Sequence, residues 1–443
     1  MSIGRVVEVD GVMAIGPVRR PFHAVVEPPG SKSETNRYLM LAALSAGVSR
    51  LDAPLRSDDT DLFAQALRDI GVGIEADTTR TSVRGPGGRL AGGGRVNLGD
   101  GGTPTRFMMA IASLARKCVI IDGSARMRER PIAEGVEMLR AIGAKIDYVE
   151  DEGRLPVRVG GGRLPIGGSL EVGRTASSQF ISALLMLAPR LDRGIDLFVD
   201  GASLTSPSYV ELTLAALARW GVPVQVIRDA TGRLSRITVP PTDLRPMQVA
   251  IEPDASSAVY FLGAAAVIRD ARVTIRGLPR LSRQPDTACL AAFVSMGARE
   301  WSSPAGIGLE GTETLNGIDV DASRWPDGAL CVAAVASVAK GKSRIRGLET
   351  LRVKESNRVQ VLAEELTKLG CRVEAAEGAI TIEPQLDSAK SVVIDPRGDH
   401  RIAMTFAVLG LVRPGISISN PGCVTKSYPN FWRDFAGLSD ATR

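Results

Sequence analysis

Along this chain a helical spacing of apolar positions repeatedly runs into a glycine and then gives way to the alternation of a strand. The joint occurs at Leu67–Ile74, Leu139–Ile146, Leu217–Val224, Phe293–Arg299 and Leu366–Val373. Its glycines, residues 71, 143, 221, 297 and 370, are spaced by 72, 78, 76 and 73 positions. A glycine just past a helix can adopt the left-handed conformation that turns the chain into the next strand. A second signature alternates with the first: Ala-rich helices run into the strands Val119–Gly123, Leu197–Gly201, Val273–Gly277, Ser343–Gly347 and Ile416–Asn420, with a weaker copy at Ala46–Leu51. Each unit of about 75 residues reads strand–helix–strand–helix–strand–strand, and the 443 residues hold about six.

Six units divide naturally into two domains of three, predicted over residues 31–251 and 252–443, with residues 1–30 returning to the second. The boundaries fall on the Pro/Gly-rich stretch at Pro28–Ser31 and on Ile251–Asp254, after the loop Pro240–Pro246. Amphipathic helices are expected to pack beneath each sheet, whose other face meets solvent or a cleft. The first 20 residues and Gly160–Gly162 read as surface strand or loop.

Composition narrows the class. Apolar residues make up 44% and charged residues 23%, the balance of a soluble globular protein. A net charge of +5, spread without a basic run, suits small acidic ligands at least as well as nucleic acid, and no basic–aromatic interleaving points to RNA or DNA. The five cysteines are far apart without a C-x-x-C, which argues against a metal site or disulfide framework and for a reducing cytosol. No apolar run is long enough to span a membrane, and the first residues lack a signal-like apolar core.

Several helix beginnings carry cations or hydroxyls. In Pro29–Arg37, Ser33 is placed to cap the helix that follows, with Lys32 and Arg37 beside it, where backbone N–H groups and the dipole favour an anion. The Gly-rich turn Leu98–Arg106 lets backbone approach a ligand at Gly102, and Thr103 opens the next helix. Arg126 and Arg130 add cationic reach, and Arg128 reads as solvated. Ser177, Ser178 and Gln179 start another helix, Ser206 and Tyr209 a further one. Asp327 precedes an apolar helix as either a cap or a base. Lys354 and Arg358 are expected on one face of a helix containing Glu355. His400 reads equally as structural or as a proton carrier beside Arg401, and Lys426 closes the set. Singly, each segment also reads as an ordinary capped helix. Together, under the repeat symmetry, they suit a cleft for two phosphorylated, carboxylated small molecules.

The segments Pro29–Arg37, Leu98–Arg106, Arg126–Ile132, Ser177–Phe180, Asp254–Ala258, Arg352–Arg358, Asp399–Met404 and Thr425–Phe431 resemble, in order, those of the 5-enolpyruvylshikimate-3-phosphate synthase family over about residues 21–435. The resemblance implies an α/β fold, a two-domain inside-out barrel of six βαβαββ units, three per domain. It implies transfer of the enolpyruvyl group of phosphoenolpyruvate to the 5-hydroxyl of shikimate 3-phosphate, in the aromatic amino acid pathway that glyphosate inhibits. Under it, Lys32, Gly102, Thr103, Arg126, Arg358, Arg401 and Lys426 hold phosphoenolpyruvate. Lys32, Ser33, Arg37, Ser177, Ser178, Gln179, Ser206, Tyr209, Asp327 and Lys354 hold shikimate 3-phosphate. Asp327 removes the hydroxyl proton, and Glu355 with Lys32 nearby protonates the methylene carbon. No cofactor or metal is implied, nor a nucleic-acid or membrane partner, and a site complete within one chain predicts a cytoplasmic monomer. Mutual repulsion among the cations predicts an open unliganded state that closes on substrate.

Asp100, Pro104, Phe107 and Thr350 depart from the usual family pattern, which bears on affinity and glyphosate response. Two rivals remain on sequence grounds. A UDP-N-acetylglucosamine enolpyruvyl transferase would use a loop cysteine, whereas Cys118 reads as core; a non-catalytic polyanion-binding protein would leave Asp327 and Glu355 without a task.

Overall fold

The computed structural model describes residues 6–173, 175–385 and 390–440. The chain divides into two compact units, residues 30–252 and residues 1–29 with 253–443.

In the unit of residues 30–252 three four-stranded sheets repeat one plan. Two parallel strands are joined through a helix, and an antiparallel hairpin follows a second helix. Arg95–Asn97 and Val119–Asp122 form the parallel pair of one sheet, Gly168–Val172 and Ile195–Val199 that of another. In the remaining sheet Ala46–Asp52 takes its parallel neighbour, Gln248–Ala250, from the far end of the unit. The other unit repeats the plan in three sheets and borrows at both places. His23–Val26 lies parallel to Arg272–Arg276, and the hairpin Val6–Val9/Val12–Ile15 completes the sheet of Ile416–Ser419. Residues 6–15 are thus strands of this unit's sheet, as the strand reading of the opening stretch predicts, but Met13 and Ile15 are buried in the core and not on the surface.

The turn glycines behave as their spacing required. Gly71, Gly143, Gly221, Gly297 and Gly370 all have positive φ, between 74° and 115°, a region open to glycine without a Cβ clash.

The helices are of two kinds, not the single amphipathic kind expected. Asp58–Asp69 and Arg358–Lys368 are amphipathic, each with an apolar face against its unit. In contrast Lys32–Leu44, Gly102–Ala112 and Ser178–Leu187 are buried on nearly every side and pack on one another. Ala255–Ala266, Ala329–Ala336 and His400–Gly410 do the same in the other unit. Ala- and Gly-rich faces allow this close approach. Each fully buried Leu, Met or Phe in such a helix contributes about 1.5–3 kcal/mol relative to exposure. Three buried helices per unit also bring their first turns to one end, because groups there bond across: Gln179 donates to Thr103 Oγ1 at 2.9 Å, and Arg37 donates to Ser182 Oγ at 3.3 Å.

One buried acid has a pH signature. Glu34 lies in the first turn of Lys32–Leu44, where Ser31 Oγ accepts its N–H, and its Oε2 accepts the Glu252 N–H at 3.0 Å. Burial, and then the nearby Glu252 charge, outweigh the hydrogen bond and push its carboxyl up to about 7. A raised carboxyl favours the fold below its unfolded value and loses that advantage as pH rises towards 7. Glu34→Gln keeps the acceptor without the charge. Its melting temperature is expected to match the parent at pH 4.5 and to exceed it at pH 8, by the equivalent of about 3 kcal/mol. Equal melting curves at pH 8 would show that the carboxylate bears no such cost.

All five cysteines are free thiols, and no helix among the described residues is long and apolar enough to cross a membrane.

Candidate active site

In the unit of residues 253–443 the charged helix beginnings meet around one arginine. Arg358 opens its helix behind the Asn357 cap, and its side chain is 1% exposed. Its Nε donates to Asp399 Oδ2 at 2.7 Å, Nη1 to Asp327 Oδ1 at 2.9 Å and Nη2 to Glu355 Oε2 at 2.8 Å. Asp399 is fixed in turn as the cap of His400–Gly410, accepting the Arg401 N–H at 3.0 Å and the Ser356 hydroxyl at 3.0 Å. Arg401 reaches Asp327 Oδ2 at 3.1 Å, Lys354 lies 3.8 Å from Asp327 Oδ1, and Lys426 lies 3.8 Å from Glu355 Oε1. Burial would raise the Asp327 carboxyl, but Arg401, Lys354 and Arg358 overcome it and hold the group well below the usual carboxylate range. Burial disfavours the Arg358 charge; Asp399, Glu355 and Asp327 more than restore it.

The unit of residues 30–252 holds a second set at the common end of its buried helices. Ser31, not Ser33, caps the first helix, because it is Ser31 Oγ that the Glu34 N–H meets; Ser33 is the helix's second residue, after Lys32. Lys32 Nζ pairs with Asp59 Oδ2 at 3.1 Å, and Asp59 is buried. Gly102–Ala112 begins without a side-chain cap, so its first N–H groups point out as an anion site. Arg106 Nη1 donates to Gly102 O and to Gln179 Oε1, both at 3.0 Å. A Cβ added to Gly102 would fall 2.7 Å from an Nη atom of Arg106 and of Arg130, so glycine keeps two guanidiniums against the turn. Ser177 caps the helix of Ser178 and Gln179. Ser206, with φ 46°, precedes Pro207 at the start of Pro207–Arg219.

Arg37 is 3% exposed and donates to Ser33 O, Tyr209 O, Thr213 Oγ1 and Ser182 Oγ, using four of its five N–H groups. Burial pushes it down to about 10, which leaves it cationic at neutral pH. Arg126 lies half-buried on the short helix Ala125–Glu129, whose cap Ser124 bonds Asp100 of the Gly-rich turn, and forms an ion pair with Glu129 at 2.6 Å.

Residues 18–435 match the family described as EPSP synthase (3-phosphoshikimate 1-carboxyvinyltransferase). This chain belongs to the EPSP synthase family. Relatives named 3-phosphoshikimate 1-carboxyvinyltransferase include one from Edwardsiella ictaluri, 38% identical over 96% of this chain and 98% of its own, and one from Methanosphaerula palustris, 39% identical over 95% and 97%. The fold is similar to the EPSP synthase of Acinetobacter baumannii, with a TM-score of 0.77 and 26% identity over 94% of this chain and 96% of that one. The enolpyruvyl transferase NikO of Streptomyces tendae shares the fold at a TM-score of 0.72 and 17% identity, covering 95% of each chain.

As an EPSP synthase family member the chain places its predicted groups in two local sets: Asp327, Lys354, Glu355, Arg358, Arg401 and Lys426 in one unit, Lys32, Gly102, Thr103, Ser177, Ser178 and Gln179 in the other. Three readings need correction. Lys354 is not on the helix of Arg358 but in extended backbone after the short turn Glu349–Val353, so the two meet through Asp327 and not along a helix face. Arg128 is not merely solvated: it forks onto Asp122 at 2.9 and 2.7 Å and reaches Glu150 at 2.9 Å. The cations are not left to repel one another, since Lys32, Arg126, Arg358, Arg401 and Lys426 each lie beside a carboxylate of their own unit.

Asp59, Asp399 and Asp286 were missed. Each sits at or near a helix start, where an acid reads as an ordinary dipole complement; only burial separates them from surface caps. Of the departures, Phe107 is buried edge-on to Phe63 beneath Arg37, and Asp100 accepts from the Ser124 hydroxyl. Cys118 is half-buried and its thiol donates to Gly160 O. Among the described residues no group of His, Cys, Asp and Glu could hold a metal ion.

Proposed function

We propose that this chain transfers the enolpyruvyl group of phosphoenolpyruvate to the 5-hydroxyl of shikimate 3-phosphate, with release of phosphate. The observation that carries the reading is the Arg358 knot, where two acids of different surroundings, Asp327 and Glu355, share one guanidinium within reach of Lys354, Arg401 and Lys426. In the addition step Asp327 takes the hydroxyl proton while oxygen attacks C2 of the enol phosphate, and Glu355 protonates the methylene carbon. The tetrahedral ketal phosphate then loses phosphate as Glu355 takes a proton back from the methyl carbon and the proton held on Asp327 leaves with the phosphate. The substrate's phosphate and carboxylate draw Arg401, Lys354 and Lys426 from their acids. Relieved of those charges, Asp327 rises towards a pKa at which it can act as a base. A cation about 4 Å from the developing negative charge contributes roughly 4 kcal/mol at an effective dielectric near 20. Lys32, the uncapped Gly102 turn, Thr103 and Arg126 complete the phosphoenolpyruvate set. Ser33, Ser177, Ser178, Gln179, Ser206 and Tyr209 hold shikimate 3-phosphate, with Arg37 fixing Ser33 and Tyr209 in place. The reading carries with it a cytoplasmic monomer.

Phosphate release tests it directly. Release is expected with phosphoenolpyruvate plus shikimate 3-phosphate, and none with phosphoenolpyruvate plus UDP-N-acetylglucosamine. The reverse result would assign the other enolpyruvyl transfer, and no release with either would remove the catalytic reading.

A further inference from the structure

Asp286 is a buried carboxylate, 1% exposed, that the proposed chemistry leaves without a task. It lies in the short turn Pro285–Ala288, and its two oxygens serve different elements. Oδ1 accepts the Gly328 N–H at 3.1 Å, the peptide that follows Asp327. Oδ2 meets the Ser256 hydroxyl in the first turn of the buried helix Ala255–Ala266. The site is packed closely: a Cβ on Gly328 would lie 3.2 Å from Asp286 Oδ1 and 2.3 Å from Cys289 Sγ. A side chain at residue 328 would run into the Cys289 thiol and crowd the Asp286 carboxylate.

We infer that Asp286 is a positioning residue for Asp327, holding the peptide behind it and supplying a fixed negative neighbour. The inference rests on the assignment of Asp327 as the base. Tied through Ser256 and Gly328 to the starts of two buried helices, Asp286 limits the rotation of the segment Pro326–Gly328, and with it the direction in which the Asp327 carboxylate points. Charge acts in the same sense. The groups facing Asp286 are Asp327, Arg401 from His400–Gly410, the Ser256 hydroxyl and the Cys289 thiol. Burial and then Asp327 raise the Asp286 carboxyl to about 6 against the pull of Arg401. Two neighbouring carboxylates titrate as a pair, so at neutral pH the charge on Asp286 makes Asp327 the stronger base.

The test uses the full chain and both substrates. Asp286→Asn keeps an acceptor for Gly328 but loses the charge. It is expected to lower kcat about tenfold, with each KM within about twofold of the parent, and to move the acid limb of the kcat–pH profile to lower pH. Ser256→Ala, which frees one oxygen of Asp286 while leaving the carboxylate, is expected to lower kcat less and to leave the limb near its parent position. Where Asp286→Asn does not yield folded protein, a parent-like kcat in Ser256→Ala overturns the inference. So does an Asp286→Asn enzyme with unchanged kcat and profile, or one whose melting temperature falls while the profile keeps its shape. Asp327→Asn run in parallel separates the two claims: retained turnover there removes the base assignment, whereas an inactive Asp327→Asn beside an unaffected Asp286→Asn removes only the role of Asp286.

Discussion

Asp327→Asn is expected to lower kcat by about a thousandfold while substrate binding is largely retained. Asparagine's one oxygen can keep the hydrogen bond from Arg358 Nη1, now 2.9 Å from Oδ1, and gives up the one from Arg401 Nη2, now 3.1 Å from Oδ2, while Arg358 stays tied to Asp399 and Glu355, so the pocket is not dismantled. What disappears is the proton acceptor. The variant should therefore still bind shikimate 3-phosphate, as seen by calorimetry, and fail in turnover. Stability carries a second signature. The depressed carboxyl favours the folded parent above its unfolded range near pH 4, and that contribution fades as pH falls through the lower folded value. Parent and variant should differ most at neutral pH and converge in acid. Near-normal kcat in Asp327→Asn would make another group the base.

Arg358→Met is expected to have the largest effect on stability, a loss of about 3–5 kcal/mol by urea unfolding, together with loss of turnover. The guanidinium is the shared partner of Asp399, Asp327 and Glu355, whose side chains are 0%, 12% and 12% exposed. Methionine fills much of the volume and leaves three carboxylates facing one another with one cation fewer. The deficit should shrink as pH falls, because protonated acids tolerate burial. Arg358→Lys should recover part of the stability and little activity, since an ammonium cannot fork onto three acids at once. Unchanged unfolding in Arg358→Met at pH 7 would mean that the knot is held from elsewhere.

The fold was legible because its punctuation is chemical. A left-handed turn needs glycine, and Gly71, Gly143, Gly221, Gly297 and Gly370 mark the same step of each repeat in both sequence and backbone. The exchange of strands was harder to read. Nothing in His23–Val26 or Gln248–Ala250 says which sheet it joins, because a short apolar run fits any parallel neighbour. The division of helices into buried and half-exposed was likewise hidden, as an Ala-rich run such as Ala329–Ala336 carries no stripe to declare a face.

At the site, cations were easier to find than their partners. Lys32, Arg358 and Arg401 stand out at helix beginnings, where basic residues oppose the dipole and need a reason, while Lys426 ends the short turn Pro421–Lys426. Asp59, Asp286 and Asp399 look at home there, and their importance follows only from burial and from what they hold. Ser31 and Ser33 are equally good caps by composition; the choice of Ser31 is set by where the chain bends into the helix.

The borrowed strands bear on how the polypeptide reaches this state as it is synthesised. Residues 30–252 can collect all their pairing partners in one continuous stretch, whereas His23–Val26 must wait for Arg272–Arg276, and Val12–Ile15 for Ile416–Ser419. At about 5–20 residues per second the opening hairpin spends tens of seconds outside the ribosome with its edge unpaired. The edge of Val12–Ile15 that waits carries no charge of its own, whereas Val6–Val9 remains the outer edge of the finished sheet and bears the exposed Glu8, a charge that opposes pairing with a neighbour's ribbon.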